Sequence, residues 1–266
     1  MMDLTMGISP CPNDTFIFHA MIENAIDTRP FAFKPSLLDV QELNRLAFEK
    51  RFDITKLSFY AWLKLRDSYE ILDSGSALGR GCGPLLVARS KKLDLTTAKV
   101  AIPGELTTAF LLLRLWNPDI KNVESARFDA ILSGVQTGRY DAGLVIHEGR
   151  FVYEDYDCVK IIDLGDWWER KTQMPIPLGC IAVKKQEPII SYKNRVEEIL
   201  AHSIRYAFEN PEASREFVKT HAREMDEEVL ARHIDLYVNE FTLTLGDSGR
   251  EAIRRLEEMA ACQNII

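Results

Sequence analysis

The residue best placed for chemistry is His147, which follows the apolar run Ala-Gly-Leu-Val-Ile at residues 142–146. Such a run predicts a buried strand, so His147 would stand at the carboxyl end of that strand. An imidazole there faces the ligand side of an open α/β sheet, and its usual pKa suits proton transfer near neutral pH. A histidine that only caps or packs is the alternative, and position alone favours neither interpretation.

Hydroxyl side chains follow two more strand patterns in the same way. Ser58 ends the run Ile-Thr-Lys-Leu-Ser, and Thr107 and Thr108 open a helix after a strand that ends at Gly104. The first turn of a helix offers free N–H groups and the positive end of a dipole, which suit a phosphate or carboxylate. The alternative is that each hydroxyl caps its own helix, and for the threonines this is slightly favoured.

The segment Ser-Pro-Cys-Pro-Asn-Asp-Thr-Phe-Ile-Phe at residues 9–18 follows the first strand pattern. Its two prolines predict a stiff turn, with a helix that begins at Asn13 or Asp14 and uses these residues as candidate caps. The loop is expected to line a cleft. Cys11 invites a nucleophilic role, but the sequence shows no base beside it.

Other candidates are weaker. The glycines at 79, 81 and 83 precede a strand, so they are no dinucleotide fingerprint, although Arg80 between them could face a ligand carboxylate. Trp167 and Trp168 predict either an aromatic wall for a flat ligand or a packing pad. No H-E-x-x-H, C-x-x-C or G-x-S-x-G motif occurs, so we expect no metal. For the other histidines a solvated or packing role is favoured; these are His19, His202, His221 and His233.

The composition narrows the class of protein. The chain has 266 residues, a net charge of -7 and 46% hydrophobic residues, which is typical of a globular protein and disfavours a nucleic-acid partner. The five scattered cysteines predict reduced thiols. The N-terminal sequence lacks a signal-peptide pattern and no apolar run could span a membrane, so we expect a cytoplasmic protein with no membrane partner. An exposed face on the C-terminal helices could form a homodimer.

Strand and helix patterns alternate along the chain, which predicts an α/β fold. We expect two lobes with a central cleft: residues 1–88 plus 180–266 form a larger lobe that ends in helices, and residues 89–179 form a smaller one. The runs Gly-Pro-Leu-Leu-Val-Ala-Arg and Leu-Gly-Cys-Ile-Ala-Val-Lys would be the two crossover strands. Ligands in such folds bind at strand carboxyl ends.

Several of these segments together resemble the 1,4-dihydroxy-6-naphthoate synthase family of the futalosine route to menaquinone. They are `SPCPNDTFIF`, `TKLSF`, `ALGRGCGPLLVAR`, `PGELTTAFLLL`, `GLVIHEGRF` and `DLGDWWERKTQMPIPLG`, and they occur from Ser9 almost to the C-terminal helices. The resemblance implies the two-lobed fold of type II periplasmic binding proteins. It also implies a carbon–carbon lyase that converts cyclic dehypoxanthinyl futalosine to 1,4-dihydroxy-6-naphthoate without a metal or organic cofactor.

The resemblance also implies roles for particular residues. The family's base is the histidine of its Ile-Ile-His-Glu segment, which corresponds to His147 here. Its substrate contacts correspond to the Lys-Leu-Ser and Thr-Thr-Ala segments of this chain. Cys11 is then expected to have no part in the chemistry. The implied substrate-binding residues are Lys56, Leu57, Ser58, Thr107, Thr108 and Ala109.

Two alternatives to the synthase stay open on the sequence. One is chorismate dehydratase, an enzyme of the same pathway and fold. The other is a cytoplasmic small-molecule binding protein that catalyses no reaction. The absence of a signal-peptide pattern disfavours a transport receptor, and no output segment for a ligand sensor is evident.

Overall fold

The computed structural model describes residues 1–222 and 226–266. Met225, where the sequence pattern of one C-terminal helix begins, lies outside the described residues. The α/β fold is confirmed, because helices lie between most of the successive strands up to Lys184 and further helices follow. The strands are β1 Met2–Ile8, β2 Phe31–Leu37, β3 Ile54–Ser58, β4 Tyr69–Ile71, β5 Ala77–Gly79, β6 Leu85–Ala88, β7 Val100–Ile102, β8 Val123–Ser125, β9 Ala142–Val145, β10 Val159–Asp163 and β11 Ile176–Lys184.

The helices lie between these strands and after the last of them. Their bounds are α1 Pro12–Ile22, α2 Val40–Phe48, α3 Phe59–Leu65, α4 Thr108–Trp116, α5 Phe128–Gln136, α6 Gly149–Val152, α7 Leu164–Thr172, α8 Lys193–Glu209, α9 Arg215–His221, α10 Glu227–Tyr237, α11 Glu240–Leu243 and α12 Gly246–Cys262. Short 3₁₀ helices lie at Tyr153–Tyr156, Ile190–Tyr192 and Pro211–Ser214.

Two sheets form the framework. The first has the strand order β2-β1-β3-β11-β4, with β5 also paired to β11, and the second has the order β10-β6-β9-β7-β8. In the first sheet β1 is parallel to β2 and β3, and β11 is antiparallel to its neighbours. In the second sheet β7 is parallel to β8 and β9, whereas β6 is antiparallel to β9 and β10.

The chain passes between the two sheets twice. It leaves the first sheet after β5 and enters the second at β6, and it returns between α7 and β11. The predicted division of the lobes at 88/89 and 179/180 stays a prediction. Sheet membership by itself favours boundaries a few residues earlier, because Leu85–Ala88 pairs wholly within the second sheet and Ile176–Lys184 wholly within the first.

The lobes share part of their apolar core. One cluster of buried side chains includes Leu57 of the first sheet, Leu86 and Ile102 of the second, and Trp168 of α7. A second cluster, centred on Leu4, Met6 and Ile8 of β1, packs the first sheet against α1 and α8. The lobes are therefore in contact along one side of the space between the sheets.

One local expectation, the start of α1, is wrong. Helix α1 begins at Pro12, its N-cap is Cys11, and no side chain caps it, so neither Asn13 nor Asp14 acts as the cap. The segment that contains the tryptophan pair is the regular helix α7, capped by Asp163, whose side chain accepts from the N–H groups of Gly165 and Asp166. Aspartate is one of the residues preferred at a helix N-cap.

Candidate active site

A cavity lies between the two sheets. Residues at or beyond the carboxyl ends of β1, β3, β7 and β9 line it. The lining residues are Ser9, Asn13, Val40, Lys56, Ser58, Ala77, Cys82, Pro84, Thr107, Thr108, Ala109, Ile146, His147, Leu178, Gly179 and Tyr237.

His147 lies one residue beyond Ile146 at the end of β9, with a backbone φ of +55°. A non-glycine residue seldom adopts this left-handed conformation, and such residues concentrate at functional sites. The ring contacts Phe128 edge-on, with 5.0 Å between centroids, and its Nε2 is 3.8 Å from the Sγ of Cys11. Burial lowers the pKa of His147, although nearby Glu148 opposes the shift. The imidazole is therefore neutral at neutral pH.

A buried ion pair forms the opposite wall. The ammonium of Lys56 donates to Oδ1 of Asp14 at 2.5 Å, and the two side chains are 7% and 0% exposed. Asp14 also accepts from the hydroxyl of Ser9 at 2.8 Å and from Nδ2 of Asn13 at 2.8 Å. A buried carboxylate needs such partners because its desolvation is costly. Lys56 therefore borders the cavity, and its ion pair with Asp14 fixes the direction of its side chain.

Ser58 presents a hydroxyl whose hydrogen has no acceptor among the described residues. Its Oγ accepts from Nδ2 of Asn44 at 3.0 Å, and its N–H donates to Oδ1 of Asn44 at 2.9 Å. The Ser58 side chain does not cap α3. Leu57, its neighbour, is 0% exposed and packs in the shared core, and it does not line the cavity.

The start of α4 supplies the remaining polar groups. Thr107 is the N-cap: its hydroxyl donates to the carbonyl of Gly104 at 2.7 Å and accepts from the N–H of Phe110 at 3.3 Å. The hydroxyl of Thr108 donates to the carbonyl of Leu178 and accepts from the N–H of Tyr60. The backbone N–H groups of Thr108 and Ala109 have no hydrogen-bond partner in the described part of the chain. They are free donors at the positive end of the helix dipole.

The chain matches the family model described as "Menaquinone biosynthesis" over residues 4–262. It belongs to this family. Two curated relatives are both named 1,4-dihydroxy-6-naphtoate synthase. The one from Thermus thermophilus is 44% identical and covers 95% of this chain and 92% of its own length. The one from Streptomyces coelicolor is 40% identical and covers 99% of this chain and 94% of its own length.

Solved structures confirm the predicted fold. A crystal structure of a protein from Archaeoglobus fulgidus has a TM-score of 0.93 and 34% identity, covering 99% of this chain and 98% of its own. A Candida albicans protein, described as having the generic periplasmic binding protein structural fold, has a TM-score of 0.71 and 10% identity, and covers 98% of this chain and 91% of its own. The latter similarity shows the fold alone. The chain is therefore a family member with a periplasmic-binding-protein-like fold.

The structure brings most of the residues predicted from this family's motifs to one cavity. His147, Lys56 and Ser58 line it, and so do Thr107, Thr108 and Ala109. Of the predicted set only Leu57 is elsewhere. The expected cleft-lining loop after β1 contributes Ser9 and Asn13. The assigned roles of base and substrate ligand stay predictions, because no ligand contact tests them.

Cys11, Cys82 and Tyr237 are at or near the cavity, and all three resist ionisation. Burial raises the pKa of the Cys11 thiol, and it raises that of Cys82 to about 12. Burial also raises the pKa of Tyr237. Cys11 does have a histidine beside it, which the sequence could not reveal, but a thiol that stays protonated is a poor nucleophile.

Arg80 and the tryptophan pair do not line the cavity. Arg80 is 56% exposed, and it donates to the carbonyl of Gln173 at 2.9 Å near the carboxylate of Glu169. Trp168 is fully buried in the shared core and donates to the carbonyl of Pro175 at 3.0 Å, and Trp167 packs against that core. The packing interpretation of the pair is the one that the structure supports.

His233 of α10 also lies at this site, although the sequence favours a solvated or packing role for it. It is 1% exposed, and its ring lies parallel to that of His147, with 5.9 Å between centroids. Within residues 1–222 and 226–266, no three His, Cys, Asp or Glu side chains cluster as metal ligands would. In the same residues no helix combines the length and apolarity needed to cross a bilayer.

Proposed function

We propose that this chain is a 1,4-dihydroxy-6-naphthoate synthase, a carbon–carbon lyase that acts on cyclic dehypoxanthinyl futalosine with His147 as general base. The observation that carries the proposal is the cavity, in which a neutral histidine faces both a buried lysine and the free N–H groups of a helix. The two curated relatives that bear the synthase name, at 44% and 40% identity, support it.

A base is the first requirement of this reaction, because a proton must leave before the carbon–carbon bond can break. An effective base is deprotonated at working pH and within reach of the substrate. His147 meets both conditions, since burial lowers its pKa and its side chain lines the cavity. The carboxylates of Glu148 and Asp14 lie near enough to stabilise the imidazolium that forms after proton transfer.

Stabilisation of developing negative charge is the second requirement. The free N–H groups of Thr108 and Ala109 point from the start of α4, where the helix dipole is positive. The Ser58 hydroxyl can add a further donor, because Asn44 already satisfies its acceptor side. Lys56 contributes a fixed positive charge whose own partner, Asp14, is buried behind it. Together they favour an anionic or enolate-like transition state over the neutral substrate.

The test is an activity assay with three arms. Purified protein is incubated with cyclic dehypoxanthinyl futalosine, and the chromophore of the naphthoate product is followed. Product formation supports the synthase. Consumption of chorismate with no naphthoate would support the dehydratase of the same pathway, and binding without turnover of either compound would support a binding protein. The small-molecule substrate, the cytoplasmic location and the homodimer remain predictions.

A further inference from the structure

His233 is buried behind the part of the cavity wall that His147 forms. Its side chain does not line the cavity, so it is outside direct contact with a bound ligand. The two imidazole planes are 9° from parallel, and the ring of Tyr237 contacts His233 at 4.6 Å between centroids. A ring packed this closely limits the rotation of its neighbour.

Hydrogen bonding fixes the tautomer of His233. Its Nε2 is 3.1 Å from Oδ1 of Asn13. The amide nitrogen of Asn13 is already engaged by Asp14, which also holds Lys56, so Oδ1 is the Asn13 atom that faces the histidine. An amide oxygen only accepts, and therefore Nε2 of His233 carries the hydrogen.

The other ring nitrogen of His233 is unsatisfied. Nδ1 is buried and has no hydrogen-bond partner among the described residues, and Oε2 of Glu148 is 4.0 Å from it. Burial lowers the pKa of His233 well below its ordinary value, and the neighbouring His147 lowers it further. The ring is therefore neutral, and its Nδ1 lone pair faces a carboxylate that cannot donate to it.

An unsatisfied buried nitrogen costs stability, and a phenylalanine or leucine at 233 would avoid that cost. The presence of a histidine directly behind the proposed base therefore needs an explanation. A second charged ring at this distance would oppose proton uptake by His147, whereas a neutral one does not. Ionisable groups from several elements also act on His147; they are Cys11 before α1, Asp14 of α1, Asp39 before α2, Lys56 of β3, the adjacent Glu148 and His233 of α10.

We propose that His233 is a positioning residue for His147: its neutral ring, anchored through Asn13, holds the imidazole of His147 towards the cavity and keeps a second charge away from it. The proposal rests on the proposed function, in which His147 is the base. His233 itself transfers no proton and touches no substrate. It orients the imidazole of His147 and keeps water away from that ring.

The test compares His233→Ala with His233→Phe. For His233→Ala we expect kcat to fall about 10- to 100-fold, because misplacement of a catalytic group by about 1 Å has this effect. KM should stay within about threefold, since the residue does not touch the ligand. Water that enters the vacated space would raise the pKa of His147, so the acidic limb of kcat/KM should move to higher pH. His233→Phe keeps a neutral ring but cannot donate to Asn13, so it should recover only part of kcat while it retains the wild-type acidic limb.

The control is His202→Ala, because His202 lies on the exposed side of α8 away from the cavity. It should leave kcat, KM and the pH profile unchanged. A folded His233→Ala protein with wild-type kcat and an unmoved acidic limb would overturn the proposal. So would a His233→Phe protein as impaired as His233→Ala, or a loss confined to KM.

A second measurement does not depend on turnover. The imidazole of His147 is titrated by nitrogen-15 NMR, with its signals assigned by their loss in His147→Ala. The His147 pKa should rise in His233→Ala and stay at the wild-type value in His233→Phe, and equal values in all three proteins would overturn the proposal. If wild-type protein makes no naphthoate, the proposed function fails, and this titration still tests the position of His233. If His233→Ala does not fold, His233→Phe supplies the readouts: a partly reduced kcat with a wild-type His147 pKa supports the proposal, and an unchanged kcat or a shifted pKa overturns it.

Discussion

The two walls of the cavity are built in different ways. The wall from the first sheet consists of side chains that hold one another: Ser9, Asn13 and Lys56 all bond to the fully buried Asp14. The wall from the second sheet consists of the ends of secondary-structure elements. These are the first turn of α4 and His147, which follows β9 in a left-handed conformation. The first wall depends on charge compensation and the second on backbone geometry. Substitutions in the two walls should therefore have different effects.

The largest expected effect is on the first wall. Lys56→Met leaves the Asp14 carboxylate buried without its counter-charge, which should lower the free energy of unfolding by about 3–5 kcal/mol. The matched control is Lys34→Met, since Lys34 pairs with Asp3 at 3.7 Å and both side chains are more than half exposed. It should cost less than about 1 kcal/mol. Urea unfolding measures both, and equal losses would show that the first wall does not depend on this charge.

A smaller effect is expected on the second wall. Thr108→Val keeps the shape of the side chain but removes the partner of the Tyr60 N–H on α3 and of the Leu178 carbonyl on β11. We expect a loss of about 1–3 kcal/mol in the free energy of unfolding. Thr137→Val is the control, because the exposed Thr137 bonds only within its own segment, and it should change stability by no more than about 0.5 kcal/mol. Thermal unfolding that ranks the two variants alike would contradict this role for Thr108.

The smallest effect is on the pH dependence of stability. The folded pKa of the buried His233 is depressed, so the unfolded chain takes up a proton first as pH falls, and stability is lost from about pH 6.5 downwards until the folded pKa is reached. Between about pH 7 and about pH 5.5, His233 alone should lower the free energy of unfolding by about 1 kcal/mol. Over the same pH interval, the free energy of unfolding of His233→Phe should fall by about 1 kcal/mol less than that of wild type. Parallel urea unfolding curves at the two pH values measure the difference, and equal losses would exclude a depressed pKa.

The sequence predicts the second wall better than the first. His147, Thr107 and Thr108 each follow a recognisable strand pattern, and strand carboxyl ends meet at ligand sites, so local patterns are enough to find them. The order of strands and helices is predictable for the same reason. Leu57 was grouped with Lys56 and Ser58, yet side chains alternate in a strand, and it faces the core.

The first wall depends on contacts between distant parts of the chain, which local patterns do not encode. Lys56 is 42 residues from Asp14, and His233 is 220 residues from Asn13. On its helix, His233 has the spacing of an ordinary packing residue, and nothing nearby in sequence indicates a polar partner. The contact of Cys11 with His147 spans 136 residues and was equally invisible.

The central claim is that His147 is the base of a naphthoate-forming reaction, and one comparison tests it most directly. Wild-type protein and His147→Ala are each mixed with cyclic dehypoxanthinyl futalosine, and both substrate binding and the product chromophore are measured. We expect binding to stay within about threefold while product formation by the variant is abolished. Near-normal product formation by His147→Ala would contradict the claim.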